Sequence, residues 1–242
     1  MALDGLGTNS TCQAVSCDAQ LLTTTQGHDV IVLVVMCICQ YITPYVLDSN
    51  GLTFNKRITY TPPPPIGGVG LWEFYARTTS PLASDNITVL YSTSPGLNFS
   101  TSPGLSGIQV LAIRGANARA IFDPNPSIPG MVSCPSVACG DCHAYNESTT
   151  CSASIQTSTL DFVIAGTAIR DAGPCGGYPN YPSLGGGVRG FTTITTNKGY
   201  GGWFEVDYTT TTVPQTTVVF DCNGTDAAAI AMDAISISPA PA

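Results

Sequence analysis

Four cysteines and a histidine crowd into twenty residues of this chain, VSCPSVACGDCHAYNESTTC (132–151), at Cys134, Cys139, Cys142, His143 and Cys151. Three chemistries use such a set. Zinc takes four ligands, usually as two close pairs. Cys139 and Cys142 form one C-x2-C pair, with His143 and Cys134 or Cys151 beside it, but no second pair follows. A catalytic thiol needs a base. His143 is the chain neighbour of Cys142, where side chains face each other poorly, and the other histidine, His28, precedes a strand at a turn and reads as a surface residue. Disulfides require only an even count and an oxidising compartment. The chain has ten cysteines, Cys12, Cys17, Cys37, Cys39, Cys134, Cys139, Cys142, Cys151, Cys175 and Cys222, and the expectation is that they pair as disulfides and hold no metal.

Other catalytic patterns are weaker. There is no G-x-S-x-G elbow, and two histidines leave little for Ser-His-Asp chemistry. Glycoside hydrolysis needs two carboxylates. Glu73 and Glu205, beside Trp72 and Trp203, are the candidates, against the simpler reading of strand acids facing solvent. GGGVRG (185–190) lacks the Lys-Ser/Thr and the helix of a phosphate loop, so it reads as a connector. LDSNG (47–51) lacks the further acidic ligands of a calcium loop and reads as a turn, which leaves calcium open only at other Asp-rich turns. The expectation is a protein that is not an enzyme and has no cofactor.

The composition says what must surround these residues. Hydrophobic residues are 43% of 242 but charged residues only 10%, so Thr, Ser, Gly and Pro carry the polar surface, as in strands and turns. With a net charge of -8 and eight basic residues in all, no patch can neutralise a run of phosphates, which argues against nucleic acid. The longest apolar run, Val30 to Cys39, is half of what a membrane-spanning helix needs and reads as a strand buried on both faces. Asn-x-Ser/Thr sequons at Asn9, Asn86, Asn98, Asn146 and Asn223 join the cysteines in pointing to an extracellular, cell-surface or virion-surface location with covalent glycans. MALDGLGTNST has neither a basic nor an apolar leader segment, so the numbering is read as that of a mature or truncated chain.

Alternation and turn residues place about eleven strands and no helix of three turns. Val15, Cys17, Ala19 and Leu21 share one face of a strand over 13–21. VLDSNGLTFNKRITY reads as a hairpin. One all-β domain is expected over 1–242, a single antiparallel sandwich. It has a flexible arm at 1–12, a Cys-rich loop at 123–155 and a Gly/Pro-rich loop at 171–188. The series DVIVLVVM, VLDSNGLTFNK, LWEFYAR, NITVLYS, IQVLAIRG, LDFVIAG, GGWFEVDY and AAIAMDAIS resembles a jelly-roll-like β-sandwich module of secreted bacterial and archaeal surface proteins and phage structural proteins. That resemblance implies a scaffold and carries no catalytic set.

More loosely, the chain is similar to glycosylated extracellular filament subunits, whose sandwiches polymerise by lending a terminal strand to the next copy. The strand with Val15, Cys17, Ala19 and Leu21 is the segment such an assembly would lend. The leading expectation is therefore a structural subunit whose partners are copies of itself. The alternative is a carbohydrate-binding adhesion module that uses Trp72, Trp203, Tyr178 and Tyr181.

Overall fold

The computed structural model describes residues 1–9, 18–38, 43–61, 69–94, 97–100, 105–134, 150–170, 190–199, 202–223 and 227–237. Among these there is no helix, and every strand pairing is antiparallel. The all-β reading holds. The expected single sandwich is replaced by two compact units, residues 1–121 with 236–242, and residues 122–235. The chain passes between the units at Ile121–Phe122, directly before the Pro-rich FDPNPSIPG (122–130), and at Ile235–Ser236.

The first unit is built from β1 (Ala2–Leu6), β2 (Thr8–Asn9), β3 (Ala19–Leu22), β4 (Val30–Ile38), β5 (Thr43–Asp48), β6 (Asn55–Tyr60), β7 (Val69–Arg77), β8 (Asp85–Ser94), β9 (Leu97–Ser100) and β10 (Leu105–Arg114). One sheet has the order β1-β10-β4-β7-β6. The other has β2-β3-β8-β5, with β9 also on β8. Ile31, Leu33, Val35, Trp72, Phe74, Ile108 and Val110 of the first sheet share a core with Leu22, Ile87, Val89 and Tyr91 of the second. β4 lies between β10 and β7 and is buried on both faces from Val30 to Cys37, as an unbroken β-branched run predicts.

The hairpin expected at VLDSNGLTFNKRITY is absent. β5 pairs with β8 and β6 with β7, so the connection crosses from one sheet to the other. The residues after the turn explain the crossing. Leu52 and Phe54 pack against the core between the sheets, which a two-stranded ribbon could not achieve. Gly51, at φ 80°, supplies the left-handed residue of the turn.

Burial on β3 also runs opposite to the expectation. Leu22 and Gln20 face inward while Ala19 and Leu21 are half-buried. The reason is the Gln20 amide. Its Nε2 donates to Ile108 O (3.0 Å) and its Oε1 accepts from Val110 N (2.8 Å). A side-chain amide thus pairs with β10 beyond the end of β1, whose ladder on β10 covers Leu111 to Arg114.

The second unit comprises β11 (Gly130–Cys134), β12 (Thr150–Gln156), β13 (Asp161–Arg170), β14 (Thr192–Gly199), β15 (Gly202–Thr210), β16 (Thr217–Asn223) and β17 (Ala227–Ser236, whose last residue counts with the first unit). The sheet β11-β17-β13-β15-β14 packs Val163, Ala165, Ile230 and Met232 against Ala153, Ile155, Val218 and Phe220 of the ribbon β12-β16. β11 and β12 correct the expectation of an irregular loop over 123–155. β12 does alternate, with Ala153 and Ile155 inside and Ser152, Ser154 and Gln156 outside, but small residues make the alternation faint.

Candidate functional site

β5 is the terminal strand of its sheet among the described residues. Its outer face presents Tyr45, 52% exposed, and Leu47, 43% exposed. Opposite them across the ladder stand Leu90 and Thr88 of β8, and beyond Thr88 stands Ala19 of β3. No charged residue lies among these. Ser49 N donates to Asn86 O at 3.1 Å, which fixes the phase of the β5–β8 ladder. Leu47 and Tyr45 then bond inward to β8, and the backbone groups of Pro44, Val46 and Asp48 point to the open side. Pro44 has no N–H to offer there, consistent with an edge strand.

Two buried carboxyl groups lie close to a second one. In the first unit Asp29, 1% exposed, ends the strand run at β4, and neither of its oxygens receives a hydrogen bond. Its neighbour is Asp4 of β1. Asp4 is itself an acceptor, for Thr25 N (2.7 Å), Gln26 N (2.8 Å) and the Thr25 hydroxyl. Burial, and then the Asp4 charge, push Asp29 up to about 6, against a smaller opposing pull from Arg114. Burial works to raise Asp4 too, but the bonds from Thr25 and Gln26 outweigh it and hold it below the ordinary value. When the pair takes up a proton, below about pH 6, it goes to Asp29, which then faces the charged Asp4 across β1 and the β3–β4 connection.

In the second unit Glu205 and Asp207 alternate onto one face of β15, opposite Thr167 and Ala165. They are 0% and 1% exposed. Burial raises Asp207, opposed by a 2.6 Å bond from the Thr193 hydroxyl and by Glu205. Asp123 shows the opposite solution. It is equally enclosed, yet it accepts from Asn125 N (2.7 Å), Ser158 N (2.6 Å) and Thr159 N (2.9 Å), and these outweigh burial and lower it. A buried carboxylate with three amide donors stays charged, whereas one without donors takes up a proton more readily.

The residues singled out by sequence are scattered. Cys37 is fully buried and disulfide-bonded. Cys134 ends β11, and Cys151 stands opposite Cys222 in the β12–β16 register. Cys12, Cys17, Cys39, Cys139, Cys142, His143 and Cys175 lie outside the described residues, as do Val15, Asn146, Tyr178 and Tyr181. Asn9, Asn98 and Asn223 are in strands, and Asn86 is exposed on β8. Trp72 is 2% exposed within the core and cannot stack on a sugar, and Glu73, 3% exposed, does not face solvent as a strand acid would. Glu205 likewise faces inward, and Trp203 lies in β15. Among the described residues no three metal-ligating side chains converge, and no helix is long and apolar enough to cross a membrane.

Sequence reasoning missed Asp4, Asp29 and Asp207 as a group, and Tyr45 and Leu47. Two signals were available. Asp29 directly precedes seven apolar residues, VIVLVVM, so it sits at the end of a central strand, and Pro44 inside an alternating strand marks an edge. No protein-family model, curated protein or solved structure matches the chain.

Proposed function

We propose that this protein is a non-enzymatic structural subunit of an extracellular, glycosylated filament or surface layer, and that copies meet along the open edge of β5. The observation that carries this reading is the uncharged, partly apolar edge formed by Tyr45, Val46 and Leu47. In a chain of net charge -8, a face without charge is where a second copy of the same chain meets least repulsion. A strand with unpaired backbone groups also gains ladder hydrogen bonds from such a contact. Gln20 and Leu21 are paired on both flanks, by β2 and β8, which favours a contact at β5 over a donated strand.

The first unit supports a scaffold role through its topology. Its first and last strands, β1 and β10, are neighbours in the sheet β1-β10-β4-β7-β6, with β3-β8-β5 in the other, an order that resembles a jelly roll except that β6 stays beside β7. A glycan on Asn86 would cover the end of the outer face beside Leu21 and Ser49, leaving the edge of β5 free. Sedimentation velocity and negative-stain microscopy of the glycosylated chain test the proposal. Concentration-dependent, open-ended oligomers should form and be lost in a Tyr45→Lys, Leu47→Lys variant that keeps its melting temperature. Oligomers that persist in that variant, or a wild-type chain that stays monomeric at high concentration, would reject the β5 contact.

A further inference from the structure

The first unit carries a cleft of about 850 Å³ at the end of its two sheets. One wall is the β5–β6 turn, with Asn50, Thr53 and Asn55. The other is the end of β7 and the connection after it, with Tyr75, Arg77, Thr79 and Ser80. Both walls are fixed from behind. Asp85 Oδ1 accepts from Ser49 N (3.2 Å) and Oγ (2.7 Å), Ser49 Oγ accepts from Asn86 N (2.9 Å), and Asp48 Oδ1 accepts from Asn50 N (2.7 Å). On the other side Thr78 N donates to Asp29 O (3.1 Å), Leu82 N to Thr24 Oγ1 (2.9 Å) and Ser84 N to Thr23 Oγ1 (3.0 Å). Gly27 lies so close to Thr79 and Ser80 that a Cβ there would come within 2.9 Å of Thr79 O.

The lining differs from this frame. Among the described residues the Asn50 amide, the Thr53, Thr79 and Ser80 hydroxyls and the Arg77 guanidinium make no hydrogen bond or ion pair within the chain. A rigid frame that holds uncommitted donors and acceptors around a concave space is arranged for a ligand rich in hydroxyls, because little ordering is left to pay for on binding. The charge is also informative. Neither Asp48 nor Asp85 lines the cleft, and Arg77 is the one charged side chain among its lining residues.

We propose that this cleft binds an acidic oligosaccharide. Arg77 takes the sugar carboxylate as a charge-assisted pair, Tyr75 offers its ring to a pyranose face, and Asn50, Thr53 and Thr79 bond the ring hydroxyls. The site does not depend on the β5 contact, since Tyr45 and Leu47 are not among its lining residues. Isothermal titration of the glycosylated chain with tri-galacturonate and with the neutral galactose trisaccharide of the same linkage tests it. Tri-galacturonate should bind more tightly than its neutral counterpart. Arg77→Met should weaken the acidic sugar about tenfold and leave the neutral one nearly unchanged, and Arg119→Met, a change at another exposed arginine, should do neither. Asn50→Ala should weaken both sugars. Binding of neither trisaccharide, or an acid preference that survives Arg77→Met, overturns the proposal. Because Arg77 is exposed, an unchanged melting temperature certifies that the variant is folded.

Discussion

Asp29 and Asp123 are residues of the same type at similar burial whose protonation runs in opposite directions, and the difference is the number of amide donors around each. Asp29 has a raised folded value, about 6, so its contribution to stability is full in acid below the ordinary aspartate range and is lost as pH rises through about 6. Screening by solvent keeps the loss below about 3 kcal/mol, the value to which the full shift converts. Asp123 is lowered, so its contribution is present above the ordinary range and is lost as pH falls. Asp29→Asn, which can donate to Asp4 without titrating, should flatten the decline in melting temperature between about pH 4 and pH 6. Asp123→Asn should cost about 2–3 kcal/mol at neutral pH and remove part of the acid sensitivity. Thermal melts of the three chains from about pH 2 to pH 7 check both signs. A second residue-level expectation comes from register alone. Paired positions on antiparallel strands lie about 4.5–5.5 Å apart at Cα, within the span of a disulfide, so non-reduced peptide mapping should recover Cys151 linked to Cys222.

At the scale of elements, the strands were legible and their partners were not. β4, β7, β10, β13 and β17 stand where apolar alternation or unbroken apolar runs place them, because period is a local property of the chain. Pairing depends on where intervening side chains go. Leu52 and Phe54 turned an expected hairpin into a crossing, and no turn rule applied to Asp48–Gly51 contains that information. Gln20 misled in another way. A polar residue on an alternating strand is assigned to solvent, yet here it supplies the two bonds that β10 lacks beyond β1. Gln20→Leu should therefore leave Ile108 O and Val110 N unpaired and cost about 2–4 kcal/mol by denaturant unfolding, despite adding apolar surface. Gly7 is the steric counterpart, since a Cβ there would fall 2.2 Å from Gln20 Oε1. Gly7→Ala should destabilise the same contact, and no additional loss should appear when it is combined with Gln20→Leu.

At the scale of the whole molecule, one expected core became two, and the Pro-rich FDPNPSIPG (122–130) at the first crossing was read as part of a loop and not as a boundary. Each unit closes its own core within two layers, which suits a subunit whose free surfaces are edges. The low charge of the chain was visible in the sequence, but the place where it matters was not, since only the β5–β8 ladder shows which face of β5 and which backbone groups remain open. The outward amides of Val46 and Asp48 give the most direct measurement of the β5 contact. Hydrogen–deuterium exchange, followed in the assembled material and in the chain dissociated by dilution, should show these two amides protected in the assembly and exchanging rapidly in the free chain, while the inward amides of Tyr45 and Leu47 stay protected in both. Equal exchange of Val46 and Asp48 in the two states would contradict assembly along this edge.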